Sequence, residues 1–202
     1  MSRICYDRLQ VGSLEENCYI IYRDDRQDAL VVDPGAEQEK ITGYLALIHK
    51  TPAAAVLTHG HFDHTGALDA FEGIPIYISR QDAEMLTDPM KSAGADFGDL
   101  HLRPKATDFL WEGRRLELAG IPMEILHTPG HTPGSVCILA DEDVLLTGDT
   151  LFCRGYGRTD LYGGDSIALY SSLRRILSLP DYRVLPGHGE ETRISRERKG
   201  QW

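Results

Sequence analysis

At 202 residues the chain is long enough for one α/β domain with a sizeable core and too short for two ordinary domains, so a single domain over 1–202 is expected. Its 42% hydrophobic and 26% charged residues are those of a folded globular protein, with disorder expected only in the last few residues. A formal net charge of -10 argues against nucleic acid as a partner, and no apolar stretch approaches the ~20 residues of a membrane span. The N-terminus shows no basic region followed by an apolar core, so no signal peptide is expected. Four cysteines, Cys5, Cys18, Cys137 and Cys153, form no CxxC pair and suit a reducing compartment, which makes the cytoplasm the expected location.

Residues 17–22 and 29–33 carry the β-branched and aromatic side chains of strands and flank a charged turn at 23–28, which reads as a hairpin. Pro34-Gly35 closes the second strand, and Ile41, Tyr44, Leu45 and Ile48 give 37–49 the spacing of an amphipathic helix. A buried strand at 53–57 completes a β-α-β unit. The next segment, His59-Gly60-His61-Phe62-Asp63-His64, places four ligand-capable groups within six residues. Such a run would ruin either face of a strand or helix unless something compensates for burying it. A divalent metal does, because neutral imidazole and carboxylate are ligands that zinc and iron accept.

A helix is expected from Gly66 to Phe71, which puts these ligands on a strand-to-helix loop, a favoured place for active sites. A strand at 74–78 and a short helix at 81–86 follow. The stretch 92–107 has no strong periodicity and is either a mobile loop over the cleft or a plain surface connection. From Asp108 the chain is mostly strands, at 116–118, 123–126, 135–139 and 144–146, with Asp141-Glu142-Asp143 as the last turn. Asp165 caps a helix through Ser178 whose apolar face includes Ile167, Leu169, Tyr170, Leu173, Ile176 and Leu177. A short strand at 183–186 delivers His188. Each half of the chain thus reads as strands followed by a helix.

Three more residues of ligand type stand beside glycines: His131 in Pro129-Gly130-His131-Thr132-Pro133-Gly134, Asp149 in Thr147-Gly148-Asp149, and His188 in Pro186-Gly187-His188-Gly189. Gly148 and Gly187 are either points of close backbone approach or turn residues. Asp33, at a strand end before Pro-Gly, reads as a turn residue or a support for the ligands, and His127 as a neighbour of His131. His49 and His101 read as ordinary histidines. Cys153 is the cysteine expected to approach the site.

The order and spacing of these seven residues resemble the signature of the metallo-β-lactamase superfamily of hydrolases. Within it, Val32-Asp33-Pro34-Gly35, the Pro-Gly-His-Thr-Pro-Gly segment and Gly155-Tyr156-Gly157-Arg158-Thr159-Asp160 are similar to small glyoxalase II-like thioesterases, a likeness running from about Asn17 to about Arg198. The persulfide dioxygenases share the fold and the Gly-Arg-Thr-Asp segment. The resemblance implies a four-layer αβ/βα sandwich, where composition alone gives only α/β or α+β. It implies two divalent ions, zinc foremost with iron or manganese acceptable: one on His59, His61 and His131, the other on Asp63, His64 and His188, with Asp149 bridging. Two cations about 3.5–4 Å apart lower the pKa of a shared water, so no side-chain nucleophile is needed, and Asp63 can orient that water while serving as a ligand.

The implied substrate is a small-molecule thioester such as S-2-hydroxyacylglutathione. The alternatives are a lactone or ester, or a persulfide handled by a mononuclear iron dioxygenase using only His59, His131 and Asp149. An exported β-lactamase is disfavoured by the missing signal peptide. Arg154, Tyr156 and Arg158, around a tight turn at 155–157, are expected at the mouth, where an arginine can receive a substrate carboxylate; the competing reading ties Arg158 to Asp160 or Asp165 in a buried salt bridge. Longer glyoxalase II enzymes add a basic helical region that holds glutathione, whereas 14 residues follow His188 in this sequence. That tail keeps Arg196-Glu197-Arg198. Oligomeric state is not legible.

Overall fold

The alternation of apolar side chains along each strand decides how the layers stack. The computed structural model describes residues 3–199, so the final tail residues, where disorder is expected, lie outside it. In the first half, β1 (Ile4–Val11), β2 (Glu16–Arg23), β3 (Asp28–Val32), β4 (Thr51–Val56), β5 (Ile76–Ser79) and β6 (Asp108–Leu110) form one sheet in sequential order, with α1 (Gln38–Leu47) crossing between β3 and β4. Between β4 and β5 lies a single turn of helix, α2 (Phe62–Thr65). The second half builds another six-stranded sheet from β7 (Arg115–Leu118), β8 (Ile121–His127), β9 (Val136–Ala140), β10 (Val144–Gly148), β11 (Arg183–Pro186) and β12 (Thr192–Arg193), in the order β12-β11-β10-β9-β8-β7. Helix α3 (Ser166–Leu177) crosses between β10 and β11, and α4 (Ile194–Glu197) follows β12. Both β3/β4 and β10/β11 are parallel pairs, as crossover helices require.

Tyr19 and Ile21 of β2, Leu30 and Val32 of β3 and Val56 of β4 point inward and meet Ile125, Ile138, Val144 and Leu146 of the second sheet in a common core. The intervening residues Cys18, Ile20, Val31 and Ala55 point outward and are covered by Ile41 and Leu45 of α1. Cys137, Leu145 and Val184 are likewise covered by Leu169, Leu173 and Ile176 of α3. Strands buried on both faces read as nearly continuous apolar runs, which is why β2, β3, β9 and β10 are conspicuous in the sequence. The result is the expected helix-sheet-sheet-helix sandwich. As expected, Asp165 caps α3, its Oδ1 accepting from the amides of Ile167 (2.8 Å) and Ala168 (3.0 Å).

Several local expectations need correction. Strand β1 is not marked in the sequence, because it is an edge strand of intermediate burial with a mixed polar pattern. The helix expected over 66–71 is split into α2 at 62–65 and a 3₁₀ turn at 68–71. Gly66 packs on the carbonyl of Gly35, where an added Cβ would lie 2.1 Å from the oxygen. Asp63 and His64 therefore sit on a helical turn rather than a loop. The helix at 81–86 is a 3₁₀ turn at 83–87. Ile167 and Tyr170, placed on the apolar face of α3, are exposed at 79% and 59%, and the stripe that packs is Leu169, Ser172, Leu173 and Ile176. The 92–107 stretch contains a short 3₁₀ turn at 94–97 whose Phe97 stacks on Phe62 of α2, with ring centroids 4.9 Å apart. Asp141 and Glu142 form the expected turn, both with positive φ.

Candidate metal centre

The two sheets are joined at one end of the sandwich, and the ligand-type residues collect there. Val136 donates its amide to Thr58 O (2.9 Å), and Asn17 donates its amide to Gly187 O (2.8 Å). The Asn17 side chain also donates to Pro186 O and Gly189 O, at 3.0 and 2.9 Å. These bonds tie the end of β4 to the start of β9, and the start of β2 to the end of β11, across the sandwich.

His59, His61 and His131 form one cluster. His131 Nε2 lies 2.9 Å from His61 Nδ1 and 3.3 Å from His59 Nε2. Hydrogen bonding at the far side of two rings fixes which nitrogen is bare. His131 Nδ1 donates to the carbonyl of Arg158 (2.7 Å), leaving Nε2 as a lone pair. Thr58 donates its hydroxyl to Asp33 Oδ2 (2.7 Å), so its oxygen accepts from His59 Nδ1 (3.1 Å) and His59 Nε2 is also bare. Lone pairs aimed at each other over such distances repel unless a cation lies among them.

Asp63, His64 and His188 form the second cluster. His188 Nε2 is 3.3 Å and His64 Nε2 is 3.9 Å from Asp63 Oδ2. His64 Nδ1 donates to Asp33 Oδ2 (3.1 Å), and His188 Nδ1 donates to Leu14 O (3.1 Å). Asp149 stands between the clusters: Oδ1 is 3.3 Å from His64 Nε2, and Oδ2 is 3.4 Å from His131 Nε2 and 3.7 Å from His188 Nε2. His64 Nε2 and Asp149 Oδ1 are buried without a hydrogen-bond partner. A buried polar atom left orphaned is expensive, and divalent cations would satisfy both atoms. All seven residues thus offer ligand atoms to one compact region. Gly187 is a point of close approach, since an added Cβ would lie 2.3 Å from Asp149 Oδ1; Gly148 combines close approach to Thr58 with a φ of 46°.

The electrostatics of the clusters differ. Burial lowers the pKa of His59 well below the usual imidazole range and that of His61 to about 3, helped by neighbouring imidazoles. Burial works in the same direction on His64, but Asp149 and Asp63 outweigh it and raise its pKa well above that range. His188 is raised in the same way, by Asp63 and Asp149. Burial alone would raise the Asp149 carboxyl, yet His64 and His131 hold it well below the usual carboxylate range.

Asp33 supports the ligands, because it accepts from the Thr58 amide (2.8 Å), the Thr58 hydroxyl and His64. His127 stays outside the clusters and bonds the carbonyl of Pro133 (3.0 Å). Cys153 belongs to none of the possible ligand groups among the described residues. Arg158 forms a two-point ion pair with Asp160 (2.6 and 2.7 Å), exposed rather than buried, and meets the centre through its carbonyl. Arg154 and Tyr156 are exposed on the same turn.

Two buried acids were not legible in the sequence. Asp82 accepts from the amides of Gly60 (3.2 Å) and Gly134 (2.7 Å) and from the Thr132 hydroxyl (2.6 Å), tying the loop of His59 and His61 to the loop of His131. Glu16 is fully buried, with Oε1 3.7 Å from His64 Nδ1, and burial raises its carboxyl well above the usual range.

A family model described as the metallo-beta-lactamase superfamily matches residues 11–188, nearly the whole chain. The chain belongs to the metallo-β-lactamase superfamily. Together with the centre just described, this makes it a metal-dependent hydrolase of that superfamily. The hydroxyacylglutathione hydrolase GloC of Haemophilus influenzae is 36% identical over 95% of this chain and 93% of its own length. The crystal structure of BLEG-1 B3 metallo-beta-lactamase superposes with a TM-score of 0.91 at 36% identity, covering 96% of each chain. TTHA1623, solved in a di-iron-bound form, superposes with a TM-score of 0.86 at 35% identity, covering 96% of this chain and 98% of its own. Among the described residues, no helix is long and apolar enough to cross a membrane.

Proposed function

We propose that this superfamily member is a dinuclear thioesterase of the glyoxalase II type, cleaving S-2-hydroxyacylglutathione or a similar small thioester. The observation that carries the dinuclear reading is Asp149, whose carboxylate stands between the clusters, Oδ1 beside His64 and Oδ2 between His131 and His188. A mononuclear dioxygenase would leave Asp63, His64 and His188 without a purpose. His59, His61 and His131 would hold one ion, Asp63, His64 and His188 the other, and Asp149 both; zinc is the first choice, with iron or manganese accepted by the same donors. When bound, the ions supply Lewis acidity, making water nucleophilic near neutral pH and drawing charge from the carbonyl oxygen.

The chain's own residues supply the rest. Asp63 accepts a hydrogen bond from the attacking water and holds it towards the carbonyl carbon. A cavity of about 250 Å³ lies beside it, lined by Leu14, Ala36, Phe62, Asp63 and Gly66 among others, and gives access to that carboxylate. No general acid is needed, because a thiolate with a pKa near ~8.5 departs unprotonated. Arg154, Tyr156 and Arg158 stand on the turn assigned to substrate contact. The identity with GloC supports the thioester. The proposed location is the cytoplasm, where the unpaired Cys5, Cys18, Cys137 and Cys153 stay reduced.

The test is anaerobic thiol release from S-D-lactoylglutathione by metal-loaded protein, with metal-stripped protein alongside. Metal-dependent release at kcat/KM of about 10⁴ M⁻¹s⁻¹ or above is expected. Absence of release from the loaded protein would sink the thioester reading. Opening of a β-lactam ring is the second reading, favoured by the likeness to BLEG-1, and the same sample tested on a β-lactam separates the two.

A further inference from the structure

The turn assigned to substrate contact is anchored at both ends. At one end Gly157 donates its amide to Asp149 O (3.0 Å) and the Arg158 carbonyl accepts from His131 Nδ1 (2.7 Å). At the other end the partner comes from the tail: Arg154 donates its amide to Glu197 Oε2 (2.9 Å), while Thr192 donates its hydroxyl to Glu197 Oε1 (2.6 Å). Glu197 is only 3% exposed, and these two bonds help to offset removing a carboxylate from water. Arg154 has a φ of 61°, a left-handed conformation that a residue with a side chain does not hold without support.

Glu197 is itself held in place. Ile194, in the same short helix, shares a core with Leu151 at the start of the turn, and Arg198 donates to the carbonyls of Leu177 and Leu179 at the end of α3. Beyond its anchored amide the Arg154 side chain is exposed and has no partner among the described residues, whereas Arg158 is already neutralised by Asp160. Arg154 is therefore the arginine of this turn that remains available to a substrate anion.

We propose that Glu197 is a positioning residue for the substrate-facing turn: by holding the Arg154 amide it fixes where the Arg154 guanidinium meets an anionic group of the substrate. This rests on the thioesterase reading only for the identity of that substrate. The Arg-Glu-Arg of the tail then has two separate uses, Arg198 fastening the tail to α3 and Glu197 fastening the turn to the tail.

The position requires an acceptor rather than a charge. In Glu197→Gln the amide oxygen can accept from Arg154 N–H while its NH₂ donates to the Thr192 hydroxyl, so wild-type behaviour is expected. Glu197→Leu removes the acceptor, and Glu197→Asp keeps the charge but withdraws it by one methylene; both are expected to behave alike, and the Asp variant decides the matter if the Leu variant does not fold. In them, hydrogen exchange at the Arg154 amide should quicken about tenfold or more. KM for S-D-lactoylglutathione should rise about 5–10-fold, with kcat within about twofold and metal content unchanged. Thr192→Val, which removes the Thr192 bond to Glu197 and spares the Arg154 one, should lower Tm and leave KM alone. Unchanged Arg154 exchange in Glu197→Asp, failure of Gln to restore KM, or a fall in kcat at constant KM would overturn the proposal. If wild-type protein does not cleave the thioester, the exchange measurement still decides the anchor, so failure of the substrate reading is distinguished from failure of this one.

Discussion

The two ligand clusters meet at Asp149 but are built from opposite materials. The cluster of His59, His61 and His131 is all imidazole, 1–3% exposed, and His59 and His61 are already neutral near pH 7. The cluster of Asp63, His64 and His188 mixes carboxylate with imidazoles of raised pKa, has Asp33 and Glu16 behind it, and leaves the His188 side chain 25% exposed beside the cavity at Asp63. The difference separates a pre-arranged, dry holding site from a proton-bearing, solvent-facing one. Chemistry that consumes water belongs at the second.

The comparison is broken most severely at its shared member. Asp149→Ala should cut kcat/KM by about 10³-fold or more and lower the occupancy of both clusters in a folded protein; full activity in that variant would remove the centre from the mechanism. His188→Ala should abolish turnover but leave one tightly bound equivalent, because the imidazole cluster is untouched. Metal analysis after dialysis reads this directly, and loss of both equivalents would show that the clusters are not separable. Asp82→Asn sharpens the distinction from the other side. It disturbs the two loops that carry His59, His61 and His131, so affinity of the first cluster should fall about 10–100-fold while the second keeps its own.

The smallest effect is set by protons. A histidine ligand must lose its proton to bind metal. His64 and His188, with raised pKa values, still carry theirs in the metal-free protein at pH where ordinary imidazoles have lost them. Affinity of the second cluster should therefore rise with pH through those raised values and fall below them, by up to about tenfold per pH unit for each proton displaced. His59 and His61 have no proton to lose near neutrality, so these two ligands add nothing to the pH dependence of the first cluster, and its slope should be the shallower of the two over the same range. Competition titrations with a chelator between pH 6 and 8 compare the two slopes, and equal slopes would contradict the electrostatic contrast.

Much of this centre is legible in the sequence because metal ligation demands particular side chains at particular turns. The run from His59 to His64, and the glycine-flanked His131, Asp149 and His188, cannot be mistaken for packing. The layers are legible for a related reason, as strands covered on both faces become continuous apolar runs. The supports are not. Asp82 bonds Thr132, fifty positions away, and Glu197 bonds Arg154 across forty-three, so each looks like an ordinary polar residue in its own neighbourhood. The helix expected at 66–71 failed because its first turn is made of ligands rather than an apolar stripe, and Ile167 and Tyr170 because spacing alone does not say how much of a helix is covered.

The ligand order along the chain has a consequence for how the protein comes together. Four ligands precede α2's end and three follow β8, so neither half possesses a metal centre and both must have docked before one exists. Assembly of the centre is thus a late, long-range event in a slow, high-contact-order topology. An ion bound there would act as a clasp across the seam, and its affinity for the joined state would register as resistance of the whole chain to unfolding.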